Sequence, residues 1–140
     1  VHHTADKSTR VKVGMGEPRF GEKDIPVLLE RSGGRINARN PMINCNLQVD
    51  ERELTLALVS MGNPHTIYFS DEPVTEFPLS RLGPKVEHHE MFPQGTNFAV
   101  VRVVNRGQIE ARVWERGAGE TLACGSGACA VAVAMAARPP

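Results

Sequence analysis

The carboxy-terminal stretch constrains the fold more than any other part of the chain. From Gly125 to Ala137 no side chain is charged, and the small and apolar residues predict a single helix that Pro139–Pro140 ends. A helix without a polar face must be surrounded by protein. We therefore predict a strongly curved sheet wrapped around a central apolar helix.

The residues before this helix predict many short strands, most of them antiparallel, because alternating polar and apolar residues are separated by turn residues. A further helix is predicted over about Val74–His89, with Ser70, Asp71 and Glu72 as candidate caps. The predicted strands are Thr9–Val13, Pro26–Glu30, Met42–Val49, Glu53–Ser60, His65–Phe69, Asn97–Val104 and Gln108–Glu115. The fold class is therefore α+β, and we expect residues 1–140 to form a single domain.

The charge and cysteine content of the chain argue against several classes of protein. Sixteen Lys and Arg residues balance sixteen Asp and Glu residues among 140, so no overall field favours nucleic acid or a membrane surface. The longest apolar run, Ala128–Ala137, is too short to span a bilayer, and the first residues carry no secretory signal pattern. Three cysteines without recurrent spacing argue against a disulfide framework. We therefore expect a location in the reducing cytoplasm.

Cys124 stands where the polar, Gly-rich segment Glu115–Ala123 meets the apolar helix. A sulfur at a helix start faces unpaired backbone N–H groups and the positive end of the helix dipole, and both favour the thiolate over the thiol. The same N–H groups form a binding site for a carboxylate or a phosphate. A reactive sulfur beside an anion site suits chemistry at the α-carbon of an amino acid. We therefore interpret Cys124 as a catalytic residue.

Other cysteine chemistries fit the sequence less well. A buried, merely apolar Cys124 is at odds with the polar loop before it and the Gly-Ser-Gly sequence after it. A cysteine phosphatase needs an arginine six residues after the thiol, where this chain has Ala130. Cys124 and Cys129 lack the spacing of a zinc site, so no metal is expected. Cys129 and Cys45 are predicted to pack in the core.

Glu115 and Arg116 end a predicted strand and begin the loop that leads to Cys124. An arginine can bind a carboxylate through two hydrogen bonds, and a glutamate can accept from an ammonium group. Together they suit the head group of an amino acid. Ordinary charges at a surface strand end are the alternative.

Polar side chains in two turns and at one helix end are further candidates. The turn before His65 presents the amide of Asn63 and an imidazole that either tunes a neighbouring thiol or simply forms a hydrogen bond. Asn97, where a loop enters a strand, is a candidate donor to a substrate. His88 and His89 lie at the predicted helix end, and we interpret them as solvated rather than as metal ligands.

Taken in order, these segments resemble the diaminopimelate epimerase family over nearly the whole chain. The similar motifs are Met61-Gly62-Asn63-Pro64-His65, Phe92-Pro93-Gln94-Gly95-Thr96-Asn97, Glu115-Arg116-Gly117-Ala118-Gly119-Glu120-Thr121 and Ala123-Cys124-Gly125-Ser126-Gly127-Ala128. The spacing from Leu82-Gly83-Pro84 through His89 to the Phe-Pro loop is similar too. Ser126 stands where threonine is more usual in the family, a change that keeps the hydroxyl.

The resemblance implies two similar domains, each a sheet curled around a central helix, with the active site between them. It implies that two thiols on opposite faces of the α-carbon interconvert LL- and meso-diaminopimelate, for lysine and peptidoglycan biosynthesis, with no pyridoxal phosphate, other cofactor or metal. By this resemblance Cys124 is one of the two thiols. The substrate-binding groups are then the amides of Gly125 and Ser126 for the α-carboxylate, and Asn63, Asn97, Glu115 and Arg116 for the distal end. His65 and Glu115 would influence the protonation of the thiols.

The sequence departs from the family in one respect, because the first cysteine motif, a Cys-Gly-Asn turn followed by a helix, is not found in it. Cys45–Asn46 lacks both the glycine and the helix. We therefore expect one catalytic half that lacks the family's final strands and does not epimerise alone. Its expected partners are the substrate diaminopimelate and an amino-terminal half-domain with the second cysteine; a homo-oligomeric contact would also cover apolar surface. Another cofactor-independent amino-acid racemase of this fold, or a non-catalytic ligand-binding or assembly module, are the alternatives.

Overall fold

Among the residues that the structure describes, seven strands form one sheet. The structure is a computed structural model, and it describes residues 2–3, 9–31, 35–36 and 42–138. The strands are β1 (His2–His3), β2 (Thr9–Arg10), β3 (Arg35–Ile36), β4 (Ile43–Val49), β5 (Arg52–Ser60), β6 (Pro64–Phe69), β7 (Asn97–Asn105), β8 (Gln108–Glu115) and β9 (Gly119–Thr121). β1 pairs with β2, and the other seven form the sheet in the order β3-β4-β5-β6-β7-β8-β9.

Neighbouring strands of the sheet are antiparallel except for β6 and β7, which are parallel. The connection between these two contains helix α1 (Leu79–Glu87), because parallel neighbours need a crossover. Helix α2 (Gly125–Ala137) follows β9. The predicted α+β class with a mostly antiparallel sheet is confirmed, and so are the predicted bounds of α2 and β8.

Alternation of side chains along the central strands divides the core in two. On β7, Phe98 and Val100 pack in the cluster that includes α1, whereas Ala99 and Val101 pack in the cluster that includes α2. All four are at most 2% exposed. Since successive side chains of a strand point to opposite faces, α1 and α2 cover opposite faces of the sheet.

Within the residues that the structure describes, helix α2 packs against the sheet through one side only. Its buried residues recur at helical spacing and are Gly127, Ala130, Val131 and Ala134. The exposed residues of the opposite side include Ala128, Ala132 and Ala136. A helix without a polar face thus leaves an apolar side that the described residues do not cover. No helix among these residues is long and apolar enough to cross a membrane.

The strand predicted over Pro26–Glu30 is wrong. The region contains a 3₁₀ turn at Leu29–Arg31 instead. Ile25 and Val27 are buried in the cluster that includes α1, so the apolar alternation reflects burial. Strand Thr9–Val13 is also shorter than predicted, because β2 ends at Arg10.

The helix predicted over Val74–His89 is shorter than expected and corresponds to α1. Ser70 Oγ accepts a hydrogen bond from Glu72 N at 3.1 Å, which forms a local turn. The predicted caps, including Asp71, therefore lie well before α1. Pro78 occupies the N-cap position without a side-chain cap hydrogen bond.

Candidate active site

Three neighbouring strands bring polar side chains into one row. His65 of β6 pairs with Asn97 of β7, and Phe98 pairs with Trp114, so Asn97 lies next to Glu115 of β8. Ala99, two positions after Asn97, packs in the α2 cluster, and the period of two therefore places this row on the α2 face. The sheet register thus joins predicted site residues from three separate sequence motifs.

Cys124 is the N-cap residue of α2, as predicted from the sequence. Its backbone is extended, with φ −135° and ψ 111°, and its Sγ accepts a hydrogen bond from Gly127 N at 3.3 Å. The Ser126 hydroxyl lies 3.6 Å from the same sulfur. The sulfur of this half-buried residue therefore lies over the amino end of the helix, where it accepts from a backbone N–H group.

A chain of polar side chains connects the row on the sheet to the sulfur. His65 Nε2 lies 3.0 Å from Asn63 Oδ1, and Asn63 Nδ2 donates to Ser126 Oγ at 3.5 Å. Ser126 Oγ in turn contacts the sulfur of Cys124. The structure thus links His65 to the predicted catalytic thiol through two intervening side chains.

His65 is 1% exposed, and its environment selects the neutral imidazole. Burial lowers the pKa of His65 from 6.5 to about 4; the charge of Glu115 opposes this shift and that of Arg116 adds to it. A neutral ring that donates Nε2–H to Asn63 is consistent with the contact to Oδ1. The ring also lies close to the helix start, because a Cβ on Gly127 would be 3.8 Å from His65 Cε1.

Glu115 and Arg116 are anchored by neighbouring loops. The half-buried Glu115 carboxylate accepts a hydrogen bond from Thr121 Oγ1 on β9. The exposed Arg116 donates from Nη1 to Gln94 O at 3.0 Å, and its Cδ would lie 3.1 Å from a Cβ on Gly95. The loop before β7 thus passes directly against the arginine side chain.

The side chain of Asn97 forms hydrogen bonds with two other segments, which the sequence does not predict. Its side chain is 4% exposed, donates from Nδ2 to Pro64 O at 3.0 Å, and accepts from Arg116 N at 2.9 Å. The amide therefore connects the start of β6 with the turn after β8. One of the two N–H bonds of the Asn97 amide is used in this way.

An apolar cavity of about 320 Å³ adjoins the sulfur. Its wall is formed by alternate residues of β8, the end of the Gly-rich loop and the first turns of α2: Ile109, Ala111, Val113, Leu122, Ala123, Cys124, Gly125, Gly127, Ala128 and Val131. Leu122, one of these wall residues, is fully exposed. The cavity gives access to the sulfur between α2 and the sheet.

The other cysteines and histidines differ from Cys124 in their surroundings. Cys45 is 2% exposed as predicted, and burial raises the pKa of its thiol to about 12. Cys129, which was expected to face the core, is half-buried. His88 is exposed, and His89 Nδ1 accepts from Met91 N at 3.2 Å. Among the described residues, no group of three or more His, Cys, Asp and Glu side chains could hold a metal ion.

On the α1 side of the sheet, opposite the row, lies a group of residues that were not predicted from the sequence. Glu87, at the end of α1, is 4% exposed and accepts hydrogen bonds from Trp114 and Gly117. A sequence signal for it exists, because Leu79, Leu82, Gly83, Val86 and Glu87 form one helical stripe that is otherwise apolar or small. A carboxylate at such a position indicates a buried partner.

Comparisons with known proteins agree on one family. A family profile described as "Diaminopimelate epimerase" matches residues 57–139. Proteins named diaminopimelate epimerase from Acetivibrio thermocellus and Methanococcus maripaludis are 47% and 46% identical over 128 residues, which are 91% of this chain and 42% and 43% of the relatives. A protein named "Diaminopimelate epimerase, chloroplastic" from Oryza sativa subsp. japonica is 45% identical over 130 residues, 89% of this chain and 35% of that relative.

The matched region is only a part of each relative. The chain spans about two fifths of the length of the Acetivibrio thermocellus and Methanococcus maripaludis relatives, and it corresponds to their carboxy-terminal half. The match to the family profile includes Asn63, His65, Asn97, Cys124 and the turn between β8 and β9.

Proposed function

The chain belongs to the diaminopimelate epimerase family, and on this basis we propose that it forms the half of such an enzyme that supplies one of two acid–base thiols. The observation that supports this most directly is the position of Cys124 at the start of α2, where Ser126 and Asn63 connect its sulfur to His65 of the polar row. The proposed reaction interconverts LL- and meso-diaminopimelate in lysine and peptidoglycan biosynthesis.

The helix start supplies the groups that proton abstraction from an α-carbon needs. The hydrogen beside a carboxylate is only weakly acidic, so negative charge must be stabilised where it develops. Gly127 N already donates to the sulfur, and the N–H groups of Gly125 and Ser126 belong to the first turn, which has no intrahelical partners for them. We assign these two N–H groups to the α-carboxylate of the substrate.

In the proposed step, the thiolate of Cys124 takes the α-proton and becomes a thiol. A second thiol then gives its proton to the opposite face of the same carbon, and the configuration is inverted. The reverse reaction exchanges these roles. Two groups are needed because a single one would return the proton to the face from which it came.

The distal amino-acid end of the substrate fits the residues at the ends of β7 and β8. Arg116 carries the charge for a carboxylate, and Glu115 carries the charge for an ammonium group. Asn63 and the remaining N–H of Asn97 supply uncharged hydrogen bonds. Binding at both ends fixes the α-carbon relative to the sulfur, which lowers the entropy cost of proton transfer.

His65 has a different proposed role, because it does not reach the sulfur directly in the contacts described. Its neutral ring connects through Asn63 and Ser126 to Cys124. We assign to His65 and Glu115 an influence on the protonation of the thiols. A reduced thiol requires a reducing compartment, so the proposed location is the cytoplasm.

The second thiol and the remaining wall of the site are proposed to come from a partner half-domain. The exposed apolar side of α2 and the cavity beside Cys124 support this, because a covered site excludes water and strengthens electrostatic stabilisation. Alone, the chain is expected to bind without epimerising.

A chimera tests the proposal directly. The matched region of the Acetivibrio thermocellus relative is replaced by this chain, and incorporation of deuterium from the solvent at the α-carbon of diaminopimelate is measured. The proposal predicts exchange with diaminopimelate and none above background with monocarboxylic amino acids. Exchange with a monocarboxylic amino acid alone would favour a different racemase of this family. A folded chimera without exchange would favour a non-catalytic module.

A further inference from the structure

Glu87 is a buried carboxylate at the carboxyl end of a helix, where its negative charge is unfavourable. It is the last residue of α1 and is 4% exposed. The carboxyl end of a helix carries partial negative charge, and burial penalises an ionised group, so both effects oppose a carboxylate there. Such a group persists only where specific donors compensate for it.

Two short hydrogen bonds provide this compensation. Trp114 Nε1 donates to Glu87 Oε2 at 2.7 Å, and Gly117 N donates to Glu87 Oε1 at 2.7 Å. Burial would raise the pKa of Glu87, but these two bonds, together with the charges of His88 and Arg116, outweigh it and lower the pKa. The carboxylate is therefore ionised and makes charge-assisted hydrogen bonds through both oxygens.

The two donors stand on either side of the proposed binding pair. Trp114 comes immediately before Glu115, and Gly117 comes immediately after Arg116. Gly117 has φ +76°, a conformation that favours glycine and lets the chain turn sharply here. One carboxylate thus fixes both ends of the short segment that presents Glu115 and Arg116.

The indole of Trp114 adds a rigid support on the same side of the sheet. A Cβ on Gly83 of α1 would lie 2.5 Å from Trp114 Cδ2, so the ring lies directly on the helix backbone. Gly119 of β9 lies near the far edge of the ring, where a Cβ would be 3.6 Å from Cη2. Glu87 and the ring therefore hold the end of β8 between α1 and β9.

We propose that Glu87 is a positioning residue that holds the turn at residues 115–118, from the face of the sheet opposite α2, so that Glu115 and Arg116 are correctly placed for the distal end of the substrate. Its role for the substrate rests on the proposed function. Glu87 lies on the α1 face of the sheet, opposite the polar row. It therefore acts through the turn and does not contact the substrate.

Hydrogen exchange of this chain tests the effect on the turn without reference to activity. In Glu87→Gln the side-chain amide keeps a single oxygen, so only one of the two hydrogen bonds can persist. We expect the amides of residues 115–118 to exchange about tenfold faster, while those of α2 are unchanged. Glu76→Gln changes an exposed glutamate and should alter neither.

The contradicting outcomes are equally specific. Unchanged exchange at residues 115–118 in Glu87→Gln would overturn the inference. Should this variant unfold, Trp114→Phe decides, because it keeps an aromatic ring and removes the N–H donor. Faster exchange confined to the turn in Trp114→Phe would support the inference, and exchange equal to that of the unchanged chain would overturn it.

The chimera described above tests the consequence for the substrate. Glu87→Gln should raise KM for diaminopimelate about tenfold and leave kcat within about threefold, because it misplaces a binding group rather than the thiol. The rate of Cys124 alkylation by iodoacetamide should be unchanged. An active chimera whose KM is insensitive to Glu87→Gln would contradict this inference alone. An inactive parent chimera would contradict the proposed function, and the hydrogen exchange experiment would still decide whether Glu87 holds the turn.

Discussion

At the scale of single residues, the site depends on the absence of a side chain three positions after the sulfur. A Cβ on Gly127 would lie 3.2 Å from both Cβ and Sγ of Cys124, which is closer than ordinary van der Waals contact. The hydrogen bond from Gly127 N to the sulfur needs this close approach. The glycine therefore serves the geometry of the sulfur rather than the helix, in which alanine is more favourable.

Gly127→Ala should consequently affect the reactivity of the sulfur much more than the stability of the fold. We expect the free energy of unfolding to change little, whereas deuterium exchange in the chimera should fall by up to about a hundredfold because the sulfur is displaced. Gly14→Ala is the control, since an added methyl there meets nothing within 4 Å. Full exchange activity in Gly127→Ala would show that the position of the sulfur is not critical.

His65 predicts a specific dependence of stability on pH. Its pKa in the folded chain is about 4, against 6.5 ordinarily, so the unfolded chain binds a proton first as the pH falls. Stability is therefore lost below about pH 6.5, and the loss between pH 7 and pH 4.5 from this group should be about 2–3 kcal/mol. Urea unfolding of the chain and of His65→Gln at both pH values measures it. Equal losses in both proteins would be evidence against a buried neutral His65.

Cys45 and Cys124 should differ sharply towards alkylation. Burial keeps Cys45 as an inaccessible thiol with a pKa of about 12, whereas Cys124 is half-buried beside an open cavity. With iodoacetamide at pH 8, peptide mass analysis should show Cys124 modified in the folded chain and Cys45 modified only in urea. Comparable modification of both in the folded chain would refute this assignment.

At the scale of elements, the sequence predicted the parts that depend on local pattern. The apolar helix α2 and strand β8 have the predicted bounds, because uninterrupted small residues and a clear turn define them. The strand predicted over Pro26–Glu30 is wrong, because apolar alternation there reflects burial without strand pairing. The predicted first helix is shorter because a turn, with a hydrogen bond from Glu76 N to Pro73 O, takes the place of its first residues.

The arrangement of the candidate site was only partly readable from the sequence. The position of Cys124 at a helix start follows from the adjacent residues. The row of His65, Asn97 and Glu115 depends on a parallel pairing between β6 and β7, and local pattern does not specify the neighbours of a strand. Glu87 was missed because its partners lie 27 and 30 residues further along the chain.

Packing between α1 and β8 gives a prediction at this scale. Gly83→Ala would place a methyl group 2.5 Å from the ring of Trp114, so the ring or the helix must move. We expect a loss of about 1–3 kcal/mol in the free energy of unfolding, despite the higher helix propensity of alanine. Ser80→Ala, at an exposed position of α1, is the control. Urea unfolding that shows Gly83→Ala to be as stable as the control would contradict the close packing.

At the scale of the whole molecule, the two faces of the sheet differ in what they carry. The α1 face holds the larger buried core and, through Glu87 and Trp114, supports the end of β8. The α2 face carries the sulfur, the row of polar side chains and an apolar surface that the described residues leave uncovered. This division supports the proposal that a second half closes over the α2 face in the active enzyme.

The proposed function requires that Cys124 exchange a proton with the α-carbon of the substrate. Deuterium incorporation into diaminopimelate by the chimera, compared between Cys124→Ala and Cys129→Ala, tests it most directly. Both variants remove a half-buried thiol, five residues apart, and only the first removes the sulfur at the helix start. We expect exchange at background level in Cys124→Ala and near the parent rate in Cys129→Ala. Parent-level exchange in Cys124→Ala would contradict it.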